Sequence, residues 1–315
     1  MSNLVFALNA TIPLFIMIAL GYFLKKINIL SDGFLKSANT FNFKVTLPVL
    51  LFTDLATTDF KSTFDLKFFL FCAIATCITF FGVWILARLF IRNDHDAIGE
   101  FVQASYRSSA AVMGIALIQN LYGDASIGGM MVLGCVPLYN IFAVIILEKY
   151  SPNKGQGKGQ LKKTLISIAK NPIIIGVVAG LVSSLIGIDY PTIIDSSLDF
   201  VARCATPLAL ICIGGAFNLK NALKSAKLSV LAASIKIVIT PIIFTIIAIL
   251  MGFDHEKLVG IFVMLAAPTT PSTFIMAKQF GYEGTITSSS VVLTTLFSSV
   301  TMTIFVYILR TLGYI

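Results

Sequence analysis

The chain has 315 residues, 57% of them hydrophobic and 12% charged, with a formal net charge of +8 and a mean hydropathy of +0.91. Soluble domains carry about 25% charged residues, so this composition excludes a water-soluble globule and predicts an all-α polytopic membrane protein. Alternating strand patterns are absent, which excludes an outer-membrane barrel.

Ten segments read as spans: residues 4–24, 34–54, 67–91, 97–121, 126–148, 171–188, 193–217, 227–251, 257–280 and 285–311. Each is near the roughly 20 residues a helix needs to cross about 30 Å of hydrocarbon. The first has no basic leader and runs up to Lys25-Lys26, so it is a permanent span, not a cleaved signal. The second carries Lys44 about ten residues deep, followed by Leu47-Pro48. The fourth carries Glu100, Gln103 and Arg107, then Ser108, Ser109, Met113 and Gly114, and ends near Gln119-Asn120. The fifth carries Pro137 and Asn140.

Ser151–Lys163 reads SPNKGQGKGQLKK and has nothing to bury, so it behaves as a flexible linker. It divides the chain into 1–148 and 171–315, joined by a basic stretch, 149–170. Five spans is an odd number, so the second half must enter the membrane inverted relative to the first, an architecture shared by several transporter folds. In that second half, the seventh span carries Asp199, Arg203 and Pro207, and the eighth carries Lys236. The ninth is interrupted by Ala266-Ala267-Pro268-Thr269-Thr270-Pro271-Ser272-Thr273. Each proline ring removes a donor and clashes with the preceding turn. Broken backbone at membrane depth survives only where it is buried in protein or lines a cavity. Superposing Gly123 on Gly281 sets Ser109–Met113 opposite Ala267–Pro271, so helix-weak residues fall at one depth in both halves.

With the N-terminus outside, the inner side holds fifteen of the 23 Lys and Arg residues and the outer side only Lys61, Lys67, Lys257 and Arg310. Positive charge accumulates on the inner side, which predicts both termini outside and explains the basic excess without nucleic acid. The basic 149–170 stretch is also a candidate lipid-binding loop. The remaining four cations, Lys44, Arg107, Arg203 and Lys236, lie inside spans, where a charge costs roughly 2.5–3.5 kcal/mol on insertion scales. Arg203 sits four residues after Asp199, which allows a local ion pair. Lys236 is near enough to the inner surface to snorkel, whereas Lys44 lies too deep. Arg107 has one structural alternative, a chain to Glu100 through Gln103. It also stands directly before the expected break, where a guanidinium matches a carboxylate in bidentate fashion and half-helix N-termini add positive potential.

None of the fifteen acids is placed near mid-membrane, and Asp54, Asp195 and Asp199 fall toward the outer ends. That argues against cation exchange, although the oxygens of Thr269, Thr270, Ser272 and Thr273 leave a sodium site open. Cys72, Cys77, Cys135, Cys204 and Cys212 all fall inside spans and read as buried packing thiols. No metal or cofactor is expected.

The chain resembles the auxin efflux carrier family, including bacterial malate and malonate permeases. The resemblance rests on Asn42 with Leu47-Pro48-Val49-Leu50-Leu51-Phe52, Arg107-Ser108-Ser109 with Met113-Gly114-Ile115-Ala116-Leu117, and Pro137 with Asn140-Ile141. It also rests on Pro207-Leu208-Ala209-Leu210 with Gly214, and on Ala267-Pro268 with Lys278-Gln279-Phe280-Gly281. The resemblance implies ten helices as in bile-acid and sodium/proton transporters, with broken fourth and ninth helices crossing at mid-membrane, substrate at the crossing, and an elevator-like movement. Many relatives have Asn where this chain has Ser109 and Pro where it has Ala116. Its fourth-helix break therefore rests on Ser108, Ser109, Gly114 and crossing contacts.

The expected function is a secondary transporter of a small organic anion in a bacterial inner membrane, with Arg107, Ser108, Ser109, Met113, Asn140, Pro268, Thr269, Thr270, Pro271 and Ser272 at the substrate site. Lys44, Arg203 and Lys236 are candidates for charge or gating roles, and a homodimer is compatible with this reading. A sodium-coupled symporter is the alternative, and a channel or receptor a more distant one. An enzyme lacks its players: His95 and His255 lie in loops on opposite sides and no nucleophile has a neighbouring base.

Overall fold

A computed structural model describes residues 3–57, 65–91, 94–122, 126–152 and 169–315. Among them the regular structure is helical, without strands. In chain order the helices are α1 (Asn3–Lys26), α2 (Asp32–Phe41), α3 (Leu47–Ala56), α4 (Leu66–Phe90), α5 (His95–Tyr106), α6 (Ile115–Tyr122) and α7 (Ser126–Lys149). They continue with α8 (Pro172–Ile186), α9 (Thr192–Ala216), α10 (Leu219–Lys224), α11 (Ala226–Ser234), α12 (Thr240–Leu250), α13 (His255–Ala266), α14 (Ser272–Gln279) and α15 (Thr285–Thr311). Helix covers each of the ten apolar segments. Five continuous helical stretches, starting at Leu66, Ile127, Thr192, Ala226 and Thr285, are long and apolar enough to cross a membrane. Most of the linker, residues 153–168, and Gly123 lie outside the described residues.

Local chemistry sets the boundaries. Ser31, Asp65, Asp94 and Asn171 accept from the first-turn amides of Phe34, Phe68, Ala97 and Ile173, starting α2, α4, α5 and α8. Pro48 and Pro241 each follow a π-helical turn, Asn42–Thr46 and Ile235–Ile239, so the chain continues past the ring with a widened turn instead of ending. Thr46 and Thr240 donate back into those turns, to Asn42 Oδ1 at 2.7 Å and to the Ile235 carbonyl at 2.9 Å.

The helices pack as two groups. In one, α1 lies along α9 and α3 along α8, with α9 also against α3. Glycines permit this approach: a Cβ on Gly214 would stand 2.0 Å from the Ile18 carbonyl oxygen, and one on Gly176 would stand 2.4 Å from that of Pro48. Small residues at such crossings replace the missing hydrophobic drive between helices in lipid. In the other group α4, α5 and α7 pack together, as do α11 with α15 and α12 with α13, and α5 joins the two sets through α15. The groups meet chiefly where α1 runs along α15.

The second group contains two interrupted helices of matching construction. α5 and α13 each have 12 residues and end on an extended residue, Arg107 (ψ 140°) and Ala267 (ψ 147°). After each break an eight-residue helix follows, α6 and α14, with a π-helical turn at Ala110–Gly114 leading into α6.

Candidate functional site

The two breaks are bonded to each other. Ser109 N–H donates to the Pro268 carbonyl at 2.9 Å. Ser108 Oγ donates to the Ala267 carbonyl at 3.2 Å, and Thr269 Oγ1 to that of Ala104 at 2.8 Å. Thr269 N–H donates to Thr294 Oγ1 on α15, and Tyr139 Oη to the Met264 carbonyl. Lys236 Nζ donates to the Leu265 carbonyl. Carbonyls freed at the end of α13 thus find donors in three other places, α7, the Ile235–Ile239 turn and the break after α5, as burial away from water requires. A helix can be broken here without a proline on the α5 side because the partner break supplies the bonds.

Arg107 sits at the centre, 2% exposed. Its Nη1 donates to Gln103 Oε1 at 3.0 Å and touches Met276 Sδ, while Nη2 donates to Asn140 Oδ1 at 2.9 Å and Ser272 Oγ at 3.0 Å. Gln103 Nε2 is in turn fixed on the Thr273 carbonyl, and Asn140 Nδ2 on that of Val136. Every partner is neutral, Nε has no partner among the described residues, and Arg107 shares no ion pair there. A charge buried this way, held in one orientation without a counter-ion, is costly unless an anion completes it.

The guanidinium faces a cavity of about 60 Å³ at the boundary of the two helix groups. From its own group the walls are Arg107, Ser108, Ser109, Ala111, Val136, Tyr139, Asn140, Thr270, Pro271 and Ser272. The other group contributes α3, Ile173 of α8, and Ala205, Thr206 and Ala209 of α9. Of the expected substrate residues, Arg107, Ser108, Ser109, Asn140, Thr270, Pro271 and Ser272 therefore converge. Pro268 and Thr269 stand behind them in the bonded crossing, and the side chain of Met113 lies outside the described residues.

Several expectations change. Glu100 does not reach Arg107 through Gln103. Its carboxylate accepts from Gly284 N–H (2.9 Å), Thr287 N–H (3.0 Å) and Thr287 Oγ1 (3.1 Å), capping α15, because those amides lack helical partners. Lys236 does not snorkel. It is 1% exposed, and its ammonium serves the carbonyl end of α13. Arg203 does pair with Asp199, at 2.7 Å, but on an exposed face of α9 away from the cavity, and Lys44 is exposed on the first π-helical turn. Cys72, Cys135 and Cys212 are buried, whereas Cys204 is exposed. Asp54, read as lying toward the outer end of its span, lines the same cavity as Arg107. Tyr139 went unread in sequence, although it adjoins Asn140.

The family described as Membrane transport protein matches residues 6–306. The chain belongs to that family, in agreement with its resemblance to auxin efflux carriers. It is 21% identical over 311 residues to "Uncharacterized transporter YfdV" of Escherichia coli (strain K12), covering 98% of this chain and 99% of that one. It is 24% identical over 305 residues to the "Putative malonate transporter" of Rhizobium meliloti (strain 1021), covering 95% and 94%. The "Lysosomal cholesterol signaling protein" of Mus musculus is 24% identical over 323 residues, which span 95% of this chain and 37% of that protein. The chain is accordingly a membrane transport protein and not an enzyme.

Proposed function

We propose that the protein is a carrier for a small carboxylate, bound by Arg107 at the crossing of the two broken helices and moved by alternating access. The supporting observation is the guanidinium itself: buried, fixed by four neutral contacts, with Nε unpartnered among the described residues and a cavity in front of it. The name of the Rhizobium relative is consistent with a carboxylate. The small volume favours a compact substrate over the drug-sized ligands that fill several hundred Å³.

The cavity has one wall on each helix group, so sliding one group past the other would carry the crossing across the membrane in an elevator-like step. The paired 12- and eight-residue half-helices support reading the chain as two inverted five-span repeats, 1–148 and 171–315, with both termini outside a bacterial inner membrane. The hydroxyls once considered for sodium are engaged: Thr269 on Ala104, Thr273 on Thr270, and Thr270 with Ser272 beside a guanidinium that repels cations.

The decisive experiment is counterflow of radiolabelled organic acids in proteoliposomes. Trans-stimulated exchange is expected in the wild type and absent in Arg107→Ala at equal membrane insertion. Normal exchange in Arg107→Ala refutes the assignment, and flux without trans-stimulation would indicate a channel.

A further inference from the structure

The second helix group carries an apolar groove of about 330 Å³ between α4 and the α11–α12 stretch, two of the segments long and apolar enough to cross a membrane. Gly82, Leu86 and Phe90 stand on one side of it, and Leu228, Ile235 and Phe244 on the other. Its polar wall side chains are Thr79 and Thr240, and both hydroxyls already donate to helix carbonyls, those of Ala75 and Ile235. From Ile78 to Phe90 the groove follows α4 for about 18 Å at 1.5 Å per residue, which exceeds half of a hydrocarbon core about 30 Å thick, the depth of one leaflet. At the end marked by Phe90 and Leu228 it adjoins a polar chamber of about 670 Å³. Leu228 lines both spaces, and on α5 Phe101 lines the groove while Ala97, one turn earlier, lines the chamber. The chamber holds the carboxylates of Asp94, Asp96, Glu100 and Glu283 and a single cation, Lys224, among the described residues. Glu100 is committed to α15 and Asp94 caps α5 through one oxygen. Asp96, Glu283 and Lys224 are exposed and share no ion pair among the described residues.

We propose that groove and chamber together bind a phospholipid whose headgroup ends in a primary ammonium, phosphatidylethanolamine being the simplest, with one acyl chain along α4 and the headgroup in the chamber. The apolar walls suit the chain, which leaves no buried polar group of the protein unpaired. In the chamber Lys224 offers a point charge to the lipid phosphate, while Asp96 and Glu283 accept charge-assisted hydrogen bonds from the ammonium. A headgroup of net negative charge meets more carboxylates than cations there and is opposed by like charge. A quaternary ammonium has the right charge but no N–H to donate. Neither space shares a lining residue with the Arg107 cavity, so the lipid site stands whether or not that cavity takes a carboxylate.

The test is native mass spectrometry of the full chain in detergent, equilibrated with equal amounts of phosphatidylethanolamine, phosphatidylcholine and phosphatidylglycerol of the same acyl chains. The wild type should retain phosphatidylethanolamine at least about tenfold over either of the others, the ratio that charge-assisted hydrogen bonds supply. Asp96→Asn combined with Glu283→Gln should erase the preference over phosphatidylcholine, and Lys224→Gln should lower retention of all three. A Cβ at Gly82 meets nothing within 4 Å, so Gly82→Phe fills the groove without displacing protein and should lower retention of all three by one common factor. Equal retention of the three lipids by the wild type means annular lipid only and overturns the proposal. So does a preference for phosphatidylglycerol, a preference that survives the Asp96 and Glu283 changes, or retention indifferent to Gly82→Phe. Should the double variant fail to insert, the wild-type ranking together with Gly82→Phe decides.

Discussion

Replacing Glu100 is expected to unfasten the start of α15 without touching the anion site. The carboxylate is 5% exposed and accepts three hydrogen bonds, from Gly284 N–H, Thr287 N–H and Thr287 Oγ1. Thr287 Oγ1 keeps an alternative acceptor in the Gly284 carbonyl at 3.1 Å, so the loss falls on two buried amides. Each orphaned buried donor costs about 1–3 kcal/mol, which puts Glu100→Ala at about 2–6 kcal/mol. Glu100→Gln retains one acceptor oxygen and turns an NH2 toward the other donor, for about half that loss. Melting of the detergent-purified protein should then fall by several degrees for Ala and less for Gln, since about 1 kcal/mol moves Tm by roughly 2–4 °C even in a smaller chain. Gln103 spends both ends of its amide on Arg107 and Thr273 and none on Glu100. The destabilisations of Glu100→Gln and Arg107→Met should therefore add within about 0.5 kcal/mol. A Glu100→Ala protein that melts with the wild type would refute the cap on α15, and a coupling well above that limit would show that Glu100 serves Arg107 after all.

Arg107→Met keeps the volume and removes a buried charge, so stability should change by no more than about 2 kcal/mol in either direction, because lost hydrogen bonds are offset by relieved desolvation. Substrate affinity should drop by about a hundredfold or more, a split that thermal melting paired with flux resolves. Gly214→Ala drives a Cβ to 2.0 Å from a backbone oxygen that cannot yield, so inserted yield and melting temperature should fall, with a cost of about 3 kcal/mol or more. Gly82→Ala meets nothing within 4 Å and should stabilise α4 by about 0.5–1 kcal/mol. Outside the spans, hydrogen bonds from Lys257 and then from the Phe68 amide hold the Asp65 carboxyl below the ordinary 3.8. A depressed folded value stabilises above the unfolded one and is lost as pH falls through the folded value. The Asp65 contribution should therefore be complete above about pH 4 and disappear below it, a loss absent in Asp65→Asn. With Lys257 partly exposed it amounts to no more than about 1 kcal/mol.

The helices were legible because apolar length and proline position are local properties. The segment 193–217 became Thr192–Ala216, and 285–311 became Thr285–Thr311. The break at Pro268 and Pro271 was legible for the same reason. Partner choice was not. Glu100, Gln103 and Arg107 share a helical stripe, and spacing along one helix is blind to Gly284 and Thr287, which lie more than 180 residues away in the chain. Lys236 looked able to snorkel because its depth was read from the nearest loop. The competing partner, a carbonyl freed by a break in another helix, exists only after packing. Asp54 sits near a span end by count, yet its side chain faces the cavity, since which face of α3 meets the second helix group is a tertiary fact.

The crossing also implies an order of assembly. Before the second half of the chain is in place, α5 ends at Arg107 with nothing to receive Ser109 N–H or Ser108 Oγ, and the Ala104 carbonyl lacks the hydroxyl of Thr269. In hydrocarbon, unpaired groups of this kind cost several kcal/mol each, so residues 95–122 on their own should prefer one continuous helix, which keeps its bonds internal. Only when Pro268 and Pro271 impose the second break do free carbonyls at Ala267 and Pro268 appear in the right place to receive Ser108 and Ser109. The proline-bearing break is thus the template and the serine-bearing break its dependent. That asymmetry explains how one interruption persists without a proline. It also places the orientation of Arg107, the residue at the hinge of the dependent break, under the control of the distant half of the chain.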